Sequence, residues 1–150
     1  MAAPTLLAQA DRAALLARLA RVKPGTPPRW GRMNAGQMLH HLAEAQRMAL
    51  GDLAVRPRVK RLFRTWLAKY LFIRTLPIPK GVPTAPELVS QDNFDFGAER
   101  ARLTETITRF ASVPGTGRGL EHPLFGVLTW LEWGLLQHKH VDHHLRQFGV

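Results

Sequence analysis

The segment His138-Lys139-His140-Val141-Asp142-His143-His144 holds four of the seven histidines in this chain. His140 and His144 are four residues apart, so on a helix both imidazoles leave one face, one turn from each other. Neutral imidazole is the commonest nitrogen ligand for zinc and its first-row neighbours. The pair supplies two arms of a metal site, and the chemistry turns on whether a third arm exists.

Four amphipathic stretches are available to position such a site. Thr5 to Val22 reads as a first helix, with Leu6, Leu7, Ala10, Ala13, Ala14, Leu16 and Ala17 recurring at three and four; Pro24-Gly25-Thr26-Pro27-Pro28 ends it. A second begins at a capping box, Asn34 with Gln37 three residues on, and runs to Gly51. Asp95 to Ala111 is the third, on a stripe of Leu103, Ile107 and Phe110. The fourth starts at a second capping box, Thr129 with Glu132, and carries Leu131, Leu135, Val141, Leu145 and Phe148. Neither an internal repeat nor a strand pair is evident. The expectation is an all-α fold, a four-helix bundle in a single domain over 1–150, with a long crossover connection between helices 2 and 3.

Helical geometry then sorts the histidines. At 100° per residue, Met38, Leu42, Ala45 and Ala49 define the buried stripe of the second helix. His41 falls about 60° to one side of Met38, whereas His40 lies about 160° from Leu42 and is expected to face solvent. On the last helix Val141, Leu145 and Phe148 define the stripe. His144 lies about 60° to one side and His140 about 100° to the same side. His143 points away and His138 sits on the opposite edge. The inward-edge candidates are His41, His140 and His144.

Three histidines with open positions are the layout of catalytic rather than structural zinc; nickel and iron suit the same nitrogens. Such an ion can acidify a water ligand toward a pKa of about 7, or bind a substrate thiol as thiolate. Gln37, Trp133 and Gln137 lie on the matching edges and are expected as pocket wall or as groups orienting the ligands. His122, before Pro123, reads as a loop anchor. Asp142 points elsewhere on its helix and is not cast as a base. No Ser-His-Asp or Cys-His constellation is present, because cysteine is absent and no serine has nucleophile-elbow context. The glycine-rich run Pro114-Gly115-Thr116-Gly117-Arg118-Gly119 lacks P-loop lysine placement and a preceding strand.

At 150 residues and 45% hydrophobic the chain suits one domain with a real core. The absence of cysteine, of a signal peptide and of an apolar run near 20 residues points to a cytoplasmic protein. The net charge of +10 is high, and Arg far outnumbers Lys. The basic residues concentrate between the second and third helices, where Arg56 to Arg74 holds seven of them and no acid. Leu62, Phe63, Trp66, Leu67, Tyr70 and Leu71 at helical spacing make a short amphipathic helix there. A non-enzymatic basic module is the alternative reading, gripping nucleic acid or an anionic membrane surface through residues 56–74, with Arg58, Lys60, Arg61 and Arg64 binding the anion. The preferred expectation is that these aromatics cap the bundle and the arginines are solvated or paired, for instance with Glu99 or Glu105, so that neither nucleic acid nor membrane is a partner.

Trp30-Gly31-Arg32-Met33-Asn34-Ala35-Gly36-Gln37-Met38-Leu39-His40-His41-Leu42 resembles the start of the second helix in the DinB/YfiT superfamily of metal-dependent enzymes. His122-Pro123-Leu124-Phe125-Gly126-Val127-Leu128-Thr129, Glu132-Trp133-Gly134 and His140-Val141-Asp142-His143-His144-Leu145-Arg146-Gln147-Phe148-Gly149 look like one branch of it, known as a domain of unknown function. The resemblance covers nearly the whole chain. It implies a DinB-like four-helix bundle and a divalent metal on one histidine of the second helix and an i, i+4 pair of the last, which correspond here to His41, His140 and His144. Characterised relatives are thiol S-transferases or thiol-dependent isomerases, so it also implies a transferase or hydrolase acting on a small substrate, with a low-molecular-weight thiol as partner and homodimers as the assembly.

Overall fold

The computed structural model describes residues 2–57, 61–113 and 118–150. Its long helices are α1 (Gln9–Leu19), α2 (Ala35–Leu50), α4 (Phe96–Ser112) and α5 (Trp130–Gln147), with a single-turn α3 (Trp66–Lys69) in the connection between α2 and α4. A two-stranded antiparallel hairpin, β1 (Arg118–His122) and β2 (Gly126–Thr129), precedes α5. The fold is thus mostly helical rather than all-α.

Both capping boxes form. The Asn34 side chain accepts from the Gln37 backbone and the Gln37 side chain from that of Asn34; Thr129 and Glu132 repeat the arrangement at α5. Each satisfies two otherwise orphaned N–H groups and contributes about 1 kcal/mol. Gly51 closes α2 in the left-handed region at φ 83°, as a helix stop requires.

Helix α2 lies centrally, packing α4 on one side and α5 on the other, while α1 packs on α5. Leu39, Leu42, Leu103, Ile107, Phe110, Trp133, Val141 and Leu145 are fully buried among these helices. Ahead of α1, the Leu6 backbone N–H reaches the carbonyl of Gly134 at 3.1 Å. A Cβ at Gly134 would sit 2.6 Å from the Thr5 hydroxyl, so the bare backbone is what admits this contact.

The hairpin turns through Pro123-Leu124-Phe125, with Gly126 at φ 70°. It lies against α5, where the Trp133 indole N–H donates to the Leu120 carbonyl at 3.0 Å. Gly119 is held tightly beneath it: a Cβ there would come within 2.4 Å of the Leu128 carbonyl oxygen and 2.8 Å of the Trp133 ring.

The connection after α2 has a 3₁₀ turn (Arg61–Arg64), α3, a π-helical turn (Tyr70–Thr75) and a second 3₁₀ turn (Pro86–Leu88). The Lys139 ammonium on α5 donates to the carbonyls of Phe72 and Leu76 at 3.0 and 2.8 Å, a cation seated where the turn leaves its carbonyls free. Phe63 packs on Phe72, as expected of it, and Phe72 in turn on Phe125. Trp66 does not: it is 78% exposed, and Leu67 and Tyr70 are also exposed. The residues that pack inward here are Phe72 and Ile73, in the π-helical turn that follows the short helix.

Candidate metal centre

His41 stands on the face of α2 that meets α5, and His140 and His144 stand on the face of α5 that meets α2. The Nε2 of His140 lies 3.0 Å from that of His41 and 3.2 Å from that of His144. Ring centroids are 4.8 to 4.9 Å apart for all three pairs. One ligand atom from each residue falls within 4.8 Å of the others. A tetrahedral ion with metal–nitrogen bonds of about 2.0–2.1 Å separates its ligand nitrogens by ~3.3 Å, so the triangle accepts a divalent ion after a small closure along its long edge.

The outer ring nitrogens fix which atoms face inward. His41 Nδ1 lies 2.9 Å from the Leu88 carbonyl, and His144 Nδ1 lies 2.7 Å from the Gln147 side-chain oxygen. Both partners accept, so both Nδ1 atoms carry the proton and both Nε2 atoms present lone pairs to the centre. Gln147 is itself held, its amide N–H donating to the Trp30 carbonyl at 2.7 Å. With no cation, a single Nε2 proton on His140 would be shared between two acceptors. A metal ion satisfies all three nitrogens at once.

Electrostatics favour the neutral rings that metal binding needs. Burial lowers the pKa of His41 and takes His140 well below its usual value, with the neighbouring His41 and His144 adding to the effect. Burial and His41 push His144 to about 3. His41 and His144 are buried, and His140 retains partial exposure.

The remaining nominated residues lie elsewhere. Gln37 spends its side chain on the capping box and on the Asp92 carbonyl. Gln137 is buried against α2, donating to the Ala45 carbonyl and accepting from Gln46. Trp133 is fully buried against the hairpin. None has a hydrogen bond to the three histidines. That work falls to Gln147 and to the Leu88 carbonyl. Gln147 was visible in the sequence as i+3 from His144; a backbone carbonyl from the proline-rich connection carries no residue-type signal.

His40 does not face solvent as expected. It stacks on Phe94 with ring centroids 4.0 Å apart and lies 3.3 Å from Glu99, because α4 covers that side of α2. His143 meets the Trp30 ring edge-on, and Asp142 is paired with Arg18 and Arg146 at 2.6 and 2.9 Å. His122 anchors its loop: its Nδ1 accepts from the backbone N–H groups of Leu124 and Phe125 at 3.1 and 3.3 Å.

Of the four cations nominated for anion binding, Arg58 and Lys60 lie outside the described residues, as do residues 114–117 of the glycine-rich run. Of Arg61 the backbone alone is described. Arg64 is paired with Glu121 at 2.9 Å rather than with Glu99 or Glu105. A groove of about 690 Å³ runs beside it, between the short helix and the hairpin, lined by Trp66, Lys69, Tyr70 and Arg74 among others. A second, of about 500 Å³, is lined by Arg32, Met33, Pro86 and Val89. Neither is lined by the three histidines.

The fold and site together define a mostly helical protein whose three close histidines can hold a metal ion. The chain belongs to the DUF1569 family, described as a protein of unknown function, whose model matches residues 2–149. No curated protein and no solved structure matches it. Among the described residues, no helix is long and apolar enough to cross a membrane.

Proposed function

We propose that the protein is a metal-dependent enzyme of the DinB-like class, binding a divalent ion, zinc, nickel or iron, on His41, His140 and His144. The observation that carries this reading is the convergence of three Nε2 atoms, two of them with tautomers fixed from behind by Leu88 and Gln147. When bound, such an ion is a Lewis acid that acidifies a water or thiol ligand at neutral pH. The reaction class is transfer or hydrolysis on a small substrate, with a low-molecular-weight thiol as the favoured nucleophile. The chain's own contribution is to hold three neutral rings in place and to keep competing carboxylates away. Elemental analysis of tag-free protein tests this. We expect stoichiometric metal that disappears in His140→Ala; protein that takes up none of the three ions when challenged with each overturns it.

A second reading rests on a different observation, the exposure of Trp66, Leu67 and Tyr70 within a cationic stretch. In it, residues 56–74 form a non-enzymatic module that holds an anionic membrane surface. Aliphatic Leu67 and the amphipathic rings gain from an acyl boundary, and the surrounding cations from its charge. Flotation with phosphatidylglycerol vesicles should then retain the protein, fall steeply with salt, and fail for Trp66→Ala/Tyr70→Ala. Equal retention by neutral vesicles, or none by either, removes this reading.

A further inference from the structure

The Gln147 side chain is held at both ends of its amide. Its oxygen accepts from the His144 ring at 2.7 Å, and its nitrogen donates to the Trp30 carbonyl at 2.7 Å. The backbone carbonyl of the same residue accepts from the Arg29 N–H, also at 2.7 Å. The segment between α1 and α2 therefore lies directly on the residue that orients His144. Gln147 is 3% exposed, so its amide has no open water to turn into.

Gly31, the next residue of that segment, is where the approach is tightest. A Cβ there would stand 2.6 Å from Gln147 Nε2, well inside van der Waals contact. The end of a glutamine side chain ordinarily gives way at little cost. Here a retreat breaks a hydrogen bond, either the one to the Trp30 carbonyl or the one from the His144 ring. A buried amide stripped of a partner is costly. The backbone points the same way: Gly31 sits at φ 79°, in the left-handed region that suits a residue without Cβ.

Trp30 is fixed on its other side. Its ring meets His143 edge-on with centroids 5.6 Å apart, and the Lys80 ammonium lies 4.5 Å from the ring centroid. Lys80 belongs to the same connection as Leu88, whose carbonyl backs His41. The Trp30 carbonyl is thus a fixed point against which the Gln147 amide is set.

The contacts form a relay. Gly31 admits the Gln147 amide, the amide receives the Nδ1–H of His144, and Nε2 of that ring faces His140 at 3.2 Å. We infer that Gly31 is a positioning residue for the three-histidine centre, acting through Gln147 on the tautomer and orientation of His144. This rests on the proposed metal site where zinc affinity is the readout, and not where the His144 ring is observed directly.

A double-mutant cycle of Gly31→Ala and Gln147→Ala tests it, with zinc affinity read by competition titration. Gly31→Ala is expected to weaken zinc about tenfold or more. In the Gln147→Ala background, where no amide is left to displace, it should add less than about twofold. Additive losses overturn the inference, because backbone strain at residue 31 is the same in both backgrounds. An unaltered affinity in Gly31→Ala overturns it as well. Should Gly31→Ala not fold, Gly31→Ala/Gln147→Ala must fold, since the clash is gone; a double variant that also fails overturns the inference. Wild type that takes up no zinc removes the metal proposal alone, and proton NMR of the metal-free protein then decides. The His144 Nδ1–H must exchange with solvent about tenfold faster in Gly31→Ala than in the wild type; equal exchange overturns the inference.

Discussion

Helix α2 shows two faces with opposite chemistry. Toward α5 it presents His41 to His140 and His144, all with lowered pKa values and no acid among them. Toward α4 it presents His40 and Glu44 to Glu99 and Arg102, where the Glu44 carboxylate, 7% exposed, pairs with both Arg47 and Arg102. The second face is complete, with each buried charge answered by its opposite. The first gathers three Nε2 atoms with no acid among them, two of them oriented from behind by the Leu88 carbonyl and Gln147. Burial alone does not mark a candidate metal site; converging nitrogens held in place by outer hydrogen bonds do.

Substitutions on the two faces should separate cleanly. The largest effect is expected from His41→Ala, which removes a ligand and should weaken metal binding by about a thousandfold or more while the fold persists; retained affinity in a competition titration would break the contrast. Acid should reach the same end. The folded-state pKa values lie below that of free histidine, so the rings stay neutral as pH falls through 6.5, and release should be centred below that value. Release at or above pH 6.5, followed by dialysis and metal assay, contradicts this. In the metal-free protein the same depression means the unfolded state takes up protons first. Stability should therefore be full above pH 6.5 and decline as pH falls below it, the His144 share continuing down to about pH 3, by up to about 1.4 kcal/mol per pH unit for that ring.

Next in size is Gln147→Ala, which frees the His144 ring and should weaken metal about 10- to 100-fold. On the opposite face, Arg102→Met should cost about 2 kcal/mol in denaturant unfolding, since Arg47 still answers Glu44, and leave metal content unchanged. The smallest effect is expected from His40→Ala, with metal affinity within about twofold of wild type. A large loss there would mean that the two faces are coupled.

The contrast was partly legible in the sequence. His140 and His144 declared themselves by spacing, and a helical wheel was enough to choose His41 over His40, because ligands must border a core stripe. The wheel failed on His40 for a physical reason. It assumed one buried stripe, whereas α2 is buried on two sides, and residues from Ala35 to Ala49 are almost all inside. The glutamines were misjudged because facing the right edge does not decide which hydrogen bond a long amide makes: Gln37 was needed at the helix start and Gln137 at Gln46. The hairpin left a readable trace, a three-residue turn ending in Gly126, a common hairpin loop. Its strands are too short and too irregular to show alternation, with the register broken between Arg118 and Glu121. The exposed rings of Trp66 and Tyr70 ran against expectation because apolar spacing cannot say which face of a short helix finds a partner.

X-ray absorption on zinc-loaded protein is the most direct test of the central claim. The account predicts a first shell containing three imidazole nitrogens at about 2.0–2.1 Å. Zinc that dialyses away, or a shell with fewer than three imidazoles, contradicts it.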